Sequence, residues 1–363
     1  MLTRTLTRYF GLQFLTTVLA VFMGIFALIT LIDYIELMRR NSDVANLSSL
    51  LVAKTSLYRV PQIAERVMPF CVLIGAMSCY LNLSRRLELV VARAAGISAW
   101  QFTMPAIVVA FLIGVVATTI YNPVAAALFE RSKHLEAELS GERAPATQAS
   151  RSGFWVRQTS PDGQSIINAT ASRGQGVVLD TVTVFTFDPN GHFLERIEAK
   201  SAVLDKGHWR LEDARVYRLN MQVSEFDTYN LNTNLTPEQV RETFSTPETI
   251  PFWQLPYYID MAEHARLAAA GYRLQYQKLL SRPFMLAAMV LLAAAFSLRF
   301  FRFGGVQKMV LGGVAAGFLL YVMSKITDDL SKAELMYPSV AAWLPVLVGG
   351  LTGFVTLLHL EDG

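Results

Sequence analysis

Charged residues are scarce in this sequence. Asp, Glu, Lys and Arg make up only 17% of the 363 residues, whereas 53% are hydrophobic. Soluble domains usually carry about 25% charged residues, so this composition excludes an ordinary soluble protein and indicates a membrane protein. The net charge is only +3, and no basic stretch interleaved with aromatic residues is present. We therefore expect no nucleic-acid partner.

Cysteine is also rare. The two cysteines, Cys71 and Cys79, fall in one apolar stretch that is predicted to be helical. Eight residues of helix separate them by about 12 Å along the axis, which is too far for a disulfide. We interpret both as packing residues, and they do not indicate a redox compartment.

Motifs for catalysis are missing. The sequence contains no G-x-x-x-x-G-K-[ST] loop, no G-x-S-x-G and no H-E-x-x-H, so this chain is not expected to hydrolyse ATP by itself or to act as an enzyme. Its histidines are not paired at metal-ligand spacing; they are His134, His192, His208, His264 and His359. We expect neither a metal nor a cofactor in this chain.

Apolar runs long enough to cross a bilayer occur six times. They cover approximately residues 11–32, 67–83, 102–121, 283–298, 306–324 and 337–358. The runs predict three domains: residues 1–128 with three membrane helices, a polar insertion at 129–272, and residues 273–363 with three more membrane helices. A cleaved signal peptide is a weaker interpretation of the first run, because its apolar core is too long and no small-residue cleavage site follows. Ionisable residues are essentially missing from the middle of the runs, which disfavours an ion-coupled transporter.

Basic residues at the ends of the runs predict the orientation. With both termini in the cytoplasm, eight Lys and Arg residues flank the inner ends of the helices and seven flank the outer ends. The outer ones are interspersed with acidic residues, and Arg4 and Arg8 precede the first run on the inner side. We therefore predict cytoplasmic termini and an exported insertion.

The insertion has the pattern of a β domain. "VVLDTVTVFTF" at 177–187 is rich in β-branched and aromatic residues, and "DPNG" at 188–191 is a strong turn signal. Five or more short strands predict an antiparallel sandwich or open jelly roll. The alternation changes phase at Val184 and Phe185, which indicates either a bulge or a strand buried on both faces. From Trp253 onward the pattern becomes helical and leads back to the fourth run.

The segment "SRRLELVVARAAGIS" at 84–98 lies between the second and third runs. Its apolar residues Leu87, Val90, Val91 and Ala94 share one face of a predicted helix at about 84–97. Two interpretations remain open from the pattern alone. The helix could dock into a soluble partner through Glu88, or it could lie on anionic lipid with Glu88 solvated.

A longer stretch around this helix resembles a known family. "FCVLIGAMSCYLNLSRRLELVVARAAGIS" at 70–98 is similar to the signature of the YjgP/YjgQ permeases, the transmembrane subunits of the lipopolysaccharide exporter. "FLERIEAKSAVLDKGHWRLEDARVYR" and the long segment that begins "LPYYIDMAEHARLAAAGYRLQYQKLLSRP" resemble the same family. The resemblance implies an α+β membrane protein with six transmembrane helices (3+3) and an inserted periplasmic antiparallel β-jelly-roll domain.

The resemblance also implies partners and a location. The permease pairs with a paralogous permease and binds a dimeric cytoplasmic ATPase, which holds the ATP and Mg. It passes lipopolysaccharide to periplasmic β-jelly-roll proteins and lies in the inner membrane of a Gram-negative bacterium. The ATPase-docking residues implied are Glu88, which meets an arginine, Leu87, Val90 and Val91 as apolar contacts, Arg85 and Arg86 beside them, and Gly96, which closes the helix.

Lipid transport sets two further expectations. Exposing one twelve-carbon acyl chain to water would cost about 9 kcal/mol, so the lipid needs a continuous apolar enclosure. Candidate lipid-groove residues are Phe154, Val156, Val182, Val184, Phe185 and Trp209, for which an ordinary closed core is the alternative. Candidate ligands for lipid phosphates are Arg39, Arg40, Arg131, Lys133 and Lys325, for which interfacial anchoring is the alternative.

Two rival functions remain open in the sequence. A mechanotransmission or regulatory subunit would couple ATP hydrolysis to the exported domain and would move no lipid. A carrier for a soluble ligand would line its cavity with polar residues. The glycine pairs Gly313/Gly317 and Gly349/Gly353 predict close helix packing within the chain.

Overall fold

The computed structural model describes most of the chain. The described residues are 2–42, 48–139, 154–160, 163–173, 177–188, 192–205, 207–218, 222–233, 247–264, 269–301 and 306–362. They divide into two compact units, a helical unit formed by residues 1–135 with 247–363 and a β unit at 136–246. The β unit is shorter than the insertion predicted from the sequence, because residues 247–264 pack with the helices.

Long helices form the first half of the helical unit. They are α1 (Leu2–Arg40), α2 (Ser49–Arg85), the short α3 (Glu88–Ala94), α4 (Ala99–Val116) and α5 (Asn122–Leu139). A π-helical turn, Ala117–Tyr121, joins α4 to α5 without a break, so the two helices form one membrane-length element. We call the end of this unit that carries α3 the elbow end. The insertion end is the opposite one, from which the chain enters the β unit.

The second half of the helical unit begins after the β unit with a short 3-10 turn, Pro247–Thr249. It continues with α6 (Leu255–His264), α7 (Ala270–Phe301), α8 (Val306–Lys332) and α9 (Pro338–Asp362). Within the described ranges, six helices are long and apolar enough to cross a membrane, three before the β unit and three after it. The predicted class, an α+β membrane protein with 3+3 helices and an antiparallel β insertion, is confirmed.

Helix α2 is much longer than the apolar run from which it was predicted. Its 37 residues correspond to about 55 Å, whereas the hydrocarbon core is about 30 Å thick. The apolar run begins at Val67, directly after the charged residues Glu65 and Arg66. The helix continues through both of them. Glu65 is only 2% exposed, so the interruption in the pattern marks a polar contact inside the helical unit.

Small residues allow the helices to approach closely. A Cβ atom on Gly114 of α4 would overlap the Cα of Pro283 in α7. Gly313 and Gly317 of α8 lie against Met77 and Leu73 of α2. In α9, a Cβ on Gly349 would lie 2.8 Å from Leu320. The predicted packing of the glycine pairs within the chain is therefore confirmed.

Six strands form a single antiparallel sheet in the β unit. They are β1 (Phe154–Ser160), β2 (Gly163–Arg173), β3 (Val178–Phe187), β4 (Phe193–Asp205), β5 (His208–Arg218) and β6 (Ser224–Asn232). The strands lie side by side in chain order, and every neighbouring pair is antiparallel. The described part of the insertion is thus a six-stranded meander.

In one row of residues across β3, β4 and β5, the alternation of buried and exposed side chains is interrupted. Buried positions on a regular strand are two apart, but here they are three apart in three successive strands: Leu179 and Val182, Ala199 and Ala202, and Leu211 and Ala214. The row contains Thr181 and Asp213, which have φ angles of 49° and 51°. Pairing of Asp180 with Ser201 and of Val182 with Ala199 shows that the strand register is unbroken at this row.

This row corrects the predicted position of the irregularity in β3. Val184 is buried and Phe185 is partly exposed, so the strand alternates normally there. The phase change lies at Thr181, and a separate register shift lies between Thr186 and Phe187. Left-handed backbone at a threonine has no strong sequence signal, which explains why the pattern placed the irregularity elsewhere.

The sheet curves around one core. Trp209 of β5 donates from its indole nitrogen to Gln158 of β1 over 3.1 Å, and Thr233 donates to the same amide oxygen over 2.7 Å. In a flat sheet β1 and β5 would lie about 19 Å apart. The hydrogen bonds therefore require strong curvature, and the buried side chains of β2 to β6 form a single hydrophobic cluster on the concave face.

Candidate functional sites at the two ends of the helical unit

The elbow is built by local capping. Gly96 has φ +78°, and the Ile97 amide donates to the carbonyl of Ala92 over 3.1 Å, as in a helix end closed by a left-handed glycine. Helix α4 begins with a capping box in which Ser98 and Gln101 exchange hydrogen bonds of 3.3 Å. Leu87, at φ 62°, makes the turn between α2 and α3.

Helix α3 has one buried and one exposed face. Leu89 and Ala92 are buried against the helical unit. Leu87, Val90 and Val91 are 59%, 43% and 65% exposed. The three apolar residues of the predicted docking set therefore face outward, next to the exposed Arg85 and Arg86. Large exposed apolar side chains grouped on a short capped helix are typical of an interaction surface.

Glu88 is in contact with the first helix. The hydroxyl of Tyr9 in α1 donates to the Glu88 carboxylate and lies 3.1 Å from Oε2 and 3.3 Å from Oε1. Sequence reasoning missed Tyr9, because the two residues are 79 positions apart and no local pattern links them.

A cavity of about 290 Å³ opens at the insertion end, between α2, α7, α8 and α9. Five basic residues line it, Arg66, Lys278, Arg282, Lys325 and Lys332, and three acidic ones, Glu65, Glu248 and Asp328. Apolar residues such as Phe70, Met285 and Met289 form its deeper wall. We call this space the insertion-end cavity. It combines an excess of positive charge with an apolar floor.

Two ion pairs cross this cavity. Arg282 of α7 pairs with Glu65 of α2, and their side chains are 14% and 2% exposed. One turn earlier in α7, Lys278 lies 2.6 Å from Asp328 of α8. Helix α7 is thereby connected to a different neighbour at each of two successive turns. Removing one member of a buried pair leaves an uncompensated charge, which typically costs 3–5 kcal/mol.

Asn122 extends the Glu65–Arg282 pair to the returning chain. Its amide nitrogen donates to Glu65 Oε1 over 2.9 Å, and its amide oxygen accepts from the backbone N–H of Phe252 over 2.9 Å. Asn122 is fully buried and follows the π-helical turn directly, a feature often found at functional sites. The sequence pattern did not predict this network. It identified Glu65 only as one of the acidic residues interspersed with the basic residues at the outer ends of the helices.

The predicted phosphate ligands are dispersed. Lys325 lines the insertion-end cavity, whereas the other four residues do not. Arg39 and Arg40 pair with Glu36 on their own helix at 2.9 and 2.8 Å. Arg131 and Lys133 are exposed on α5, and the Lys133 amine lies 5.3 Å from the centre of the Phe129 ring.

The sequence matches a known protein family over nearly its whole length. The family model described as "Lipopolysaccharide export system permease LptF/LptG" matches residues 8–359. The chain belongs to the LptF/LptG family. It is a permease subunit of the lipopolysaccharide export system, and its six apolar helices make it a multi-pass membrane protein.

Curated relatives of this LptF/LptG permease align over nearly its whole length. The lipopolysaccharide export system permease protein LptG of Escherichia coli (strain K12) is 23% identical over 347 residues, covering 94% of each chain. LptG of Haemophilus influenzae (strain ATCC 51907 / DSM 11121 / KW20 / Rd) is 24% identical over 361 residues, covering 96% of this chain and 94% of the relative.

Three of the six predicted lipid-groove residues of this permease are buried in the β unit. Val182, Val184 and Trp209 are each about 1% exposed, and Phe185 is partly exposed. The side chains of Phe154 and Val156 lie outside the described residues. The buried three belong to the hydrophobic cluster of the sheet, and their role in a lipid groove stays a prediction.

A separate polar cluster lies on the sheet. Glu195 accepts from Arg218 over 2.8 Å and from Tyr229 over 2.9 Å. Hydrogen bonding to Glu195 raises the pKa of Arg218, and burial followed by the contact with Glu195 raises the pKa of Tyr229. Both groups therefore keep their protons near neutral pH, and we interpret the cluster as a structural tie between β4, β5 and β6.

Proposed function

We propose that this permease moves lipopolysaccharide out of the inner membrane of a Gram-negative bacterium, driven by ATP hydrolysis in a separate cytoplasmic subunit. It pairs with an LptF-like paralogue and an LptB-like ATPase dimer, and it hands the lipid to LptC/LptA-like β-jelly-roll proteins. Its termini and elbow face the cytoplasm, and its β unit is periplasmic. The names of the relatives, the family model and the absence of a phosphate-binding loop from the sequence support this assignment.

The exposed face of α3 carries the proposal. Leu87, Val90 and Val91 place apolar surface in water beside Glu88, which would be unfavourable unless a partner covers it. An arginine of the ATPase meets Glu88, and the apolar residues fill a socket around that pair. A charged pair at a partly desolvated contact gives specificity and alignment, whereas an isolated surface pair contributes little.

The insertion-end cavity is the proposed site for the phosphate-bearing head of the lipid. Lys325 with Arg66 and Lys332 supplies positive charge at its rim, and Phe70 and Met289 supply the apolar wall. Arg39, Arg40, Arg131 and Lys133 act on the approach to this site, where exposed basic residues attract anionic head groups. The acyl chains remain in apolar surroundings throughout.

A second function is supported by the β unit. Val182, Val184 and Trp209 are buried in the hydrophobic cluster of the sheet, as in an ordinary folded core. A subunit that transmits mechanical movement from the ATPase to partner proteins, without holding lipid, agrees with that feature. Crosslinking to lipopolysaccharide in the insertion-end cavity separates the two functions.

The docking assignment is tested by Glu88→Arg. We expect the ATPase no longer to co-purify with the permease pair and export to stop, because the substitution places like charges in contact. Glu130→Arg is the matched control, since Glu130 is an exposed glutamate on α5. Normal co-purification and normal export with Glu88→Arg would overturn the assignment.

A further inference from the structure

We propose that Tyr9 is a positioning residue for Glu88, so that the first turns of α1 and the elbow present one pre-arranged surface to the ATPase. This inference rests on the docking role proposed for Glu88. It assigns part of the docking surface to α1, which the sequence pattern of the elbow does not include.

The contact involves both oxygens of the carboxylate. The Tyr9 hydroxyl lies 3.1 Å from one Glu88 oxygen and 3.3 Å from the other, so the carboxylate group faces the phenol. The Tyr9 hydroxyl is a neutral donor, and it leaves the negative charge of Glu88 in place. A carboxylate has about four acceptor positions, so Glu88 can still accept two hydrogen bonds from an arginine.

The end of α1 is held firmly against the elbow. Phe10, next to Tyr9, is only 6% exposed, and it belongs to the same buried cluster as Leu83, Leu89 and Phe102. The Tyr9 and Phe10 rings meet edge to face with their centres 5.8 Å apart. Phe10 follows Tyr9 and Leu89 follows Glu88, so the backbones that carry the hydroxyl and the carboxylate are both anchored in one core.

Holding Glu88 in place affects docking through entropy. A free glutamate loses rotamer freedom when it docks, and a glutamate already held by Tyr9 has lost part of that freedom beforehand. Immobilising one such side chain corresponds to about a two- to tenfold change in affinity. Removing only the Tyr9 hydroxyl should therefore weaken ATPase binding by about that factor.

The experiment is a double-mutant cycle with Tyr9→Phe and Glu88→Ala, which removes both acceptor oxygens. The full-length permease and its paralogue are reconstituted in nanodiscs, and the Kd for the purified ATPase is measured. The matched control is Tyr34→Phe on the same helix, because the Tyr34 hydroxyl has no hydrogen-bond partner among the described residues. The thermal unfolding midpoint of every variant is measured in parallel.

We expect Tyr9→Phe to weaken binding about two- to tenfold in the wild-type background and to have no effect in the Glu88→Ala background. Tyr34→Phe should leave the Kd unchanged. An equal effect of Tyr9→Phe in both backgrounds, or no effect in either, overturns the inference. So does a lowered unfolding midpoint with an unchanged Kd, because Tyr9 would then only stabilise the fold.

The same measurements distinguish this inference from the docking proposal. If Glu88→Ala leaves the Kd unchanged, the docking role of Glu88 is wrong. If Glu88→Ala weakens binding and Tyr9→Phe does not, the docking role stands and only the positioning role of Tyr9 is wrong.

Discussion

Two glutamates at opposite ends of the helical unit illustrate two uses of a carboxylate. Glu88 at the elbow end is partly exposed, and its hydrogen-bond donor among the described residues is the neutral hydroxyl of Tyr9. Glu65 at the insertion end is buried and contacts both Arg282 and Asn122. A carboxylate that binds a partner protein has to remain accessible. A buried carboxylate depends on a positively charged side chain that compensates its charge.

The comparison implies that the two ends respond differently to substitution. Breaking the buried Glu65–Arg282 pair at the insertion end should lower the stability of the permease itself. Changes at the elbow end should leave its stability nearly unchanged and act on binding of the ATPase. The following experiments test that separation, beginning with the largest expected effect.

Arg282→Ala should cause the largest loss of stability. It leaves Glu65 buried and charged without its positively charged partner. We expect the free energy of unfolding to fall by about 3–5 kcal/mol. The loss is measured as a lowered thermal unfolding midpoint of the purified permease pair. Lys325→Ala is the control, since its partner Asp329 is well exposed and such a pair contributes at most about 1 kcal/mol. Equal midpoints for the two variants would contradict the distinction between buried and exposed pairs.

Gly114→Ala should cause the next largest effect. The new methyl group would overlap the backbone of Pro283, and forcing extra volume into close packing usually costs 1–3 kcal/mol. Gly24→Ala is the matched control in α1, because a Cβ there meets no atom within 4 Å. We expect Gly24→Ala to be neutral or to stabilise the helix slightly. A loss of stability with Gly24→Ala as large as with Gly114→Ala would show that helix packing is not the cause.

Val91→Asp should change stability least and binding most. Val91 is exposed, so we expect the free energy of unfolding to change by no more than about 0.5 kcal/mol. Affinity for the ATPase should fall at least tenfold, because the new charge would be buried in an apolar socket. Val223→Asp makes the same change at an exposed valine that precedes β6. Unchanged affinity with Val91→Asp would remove α3 from the docking surface.

The elbow could be predicted in large part because its determinants are local. The helical spacing of Leu87, Val90 and Val91 fixes which residues share a face, and Gly96 supplies the left-handed backbone that ends the helix. The docking role of those residues remains a prediction. Tyr9 could not be found in the same way, because its contact with Glu88 depends on how α1 packs against α3.

The insertion end could not be predicted from the sequence pattern. Glu65 and Arg66 interrupted the apolar run, and scanning for such runs placed the start of the membrane helix after them. Only the packing of α2 against α5 and α7 shows that Glu65 is buried with Arg282 and Asn122. The strands were predictable from β-branched and aromatic residues. The row through Thr181 and Asp213 was not, since left-handed backbone at a threonine has no strong sequence signal.

The central claim is that lipopolysaccharide occupies the insertion-end cavity and is displaced by work delivered at the elbow. It is tested by placing a photo-crosslinking amino acid at Phe70, in the cavity wall, with Leu351 on the exposed side of α9 as control. In the assembled complex we predict a lipopolysaccharide adduct at position 70 that decreases when ATP is added, but does not decrease with Glu88→Arg. No adduct at position 70, or an adduct that decreases equally with Glu88→Arg, would contradict the account.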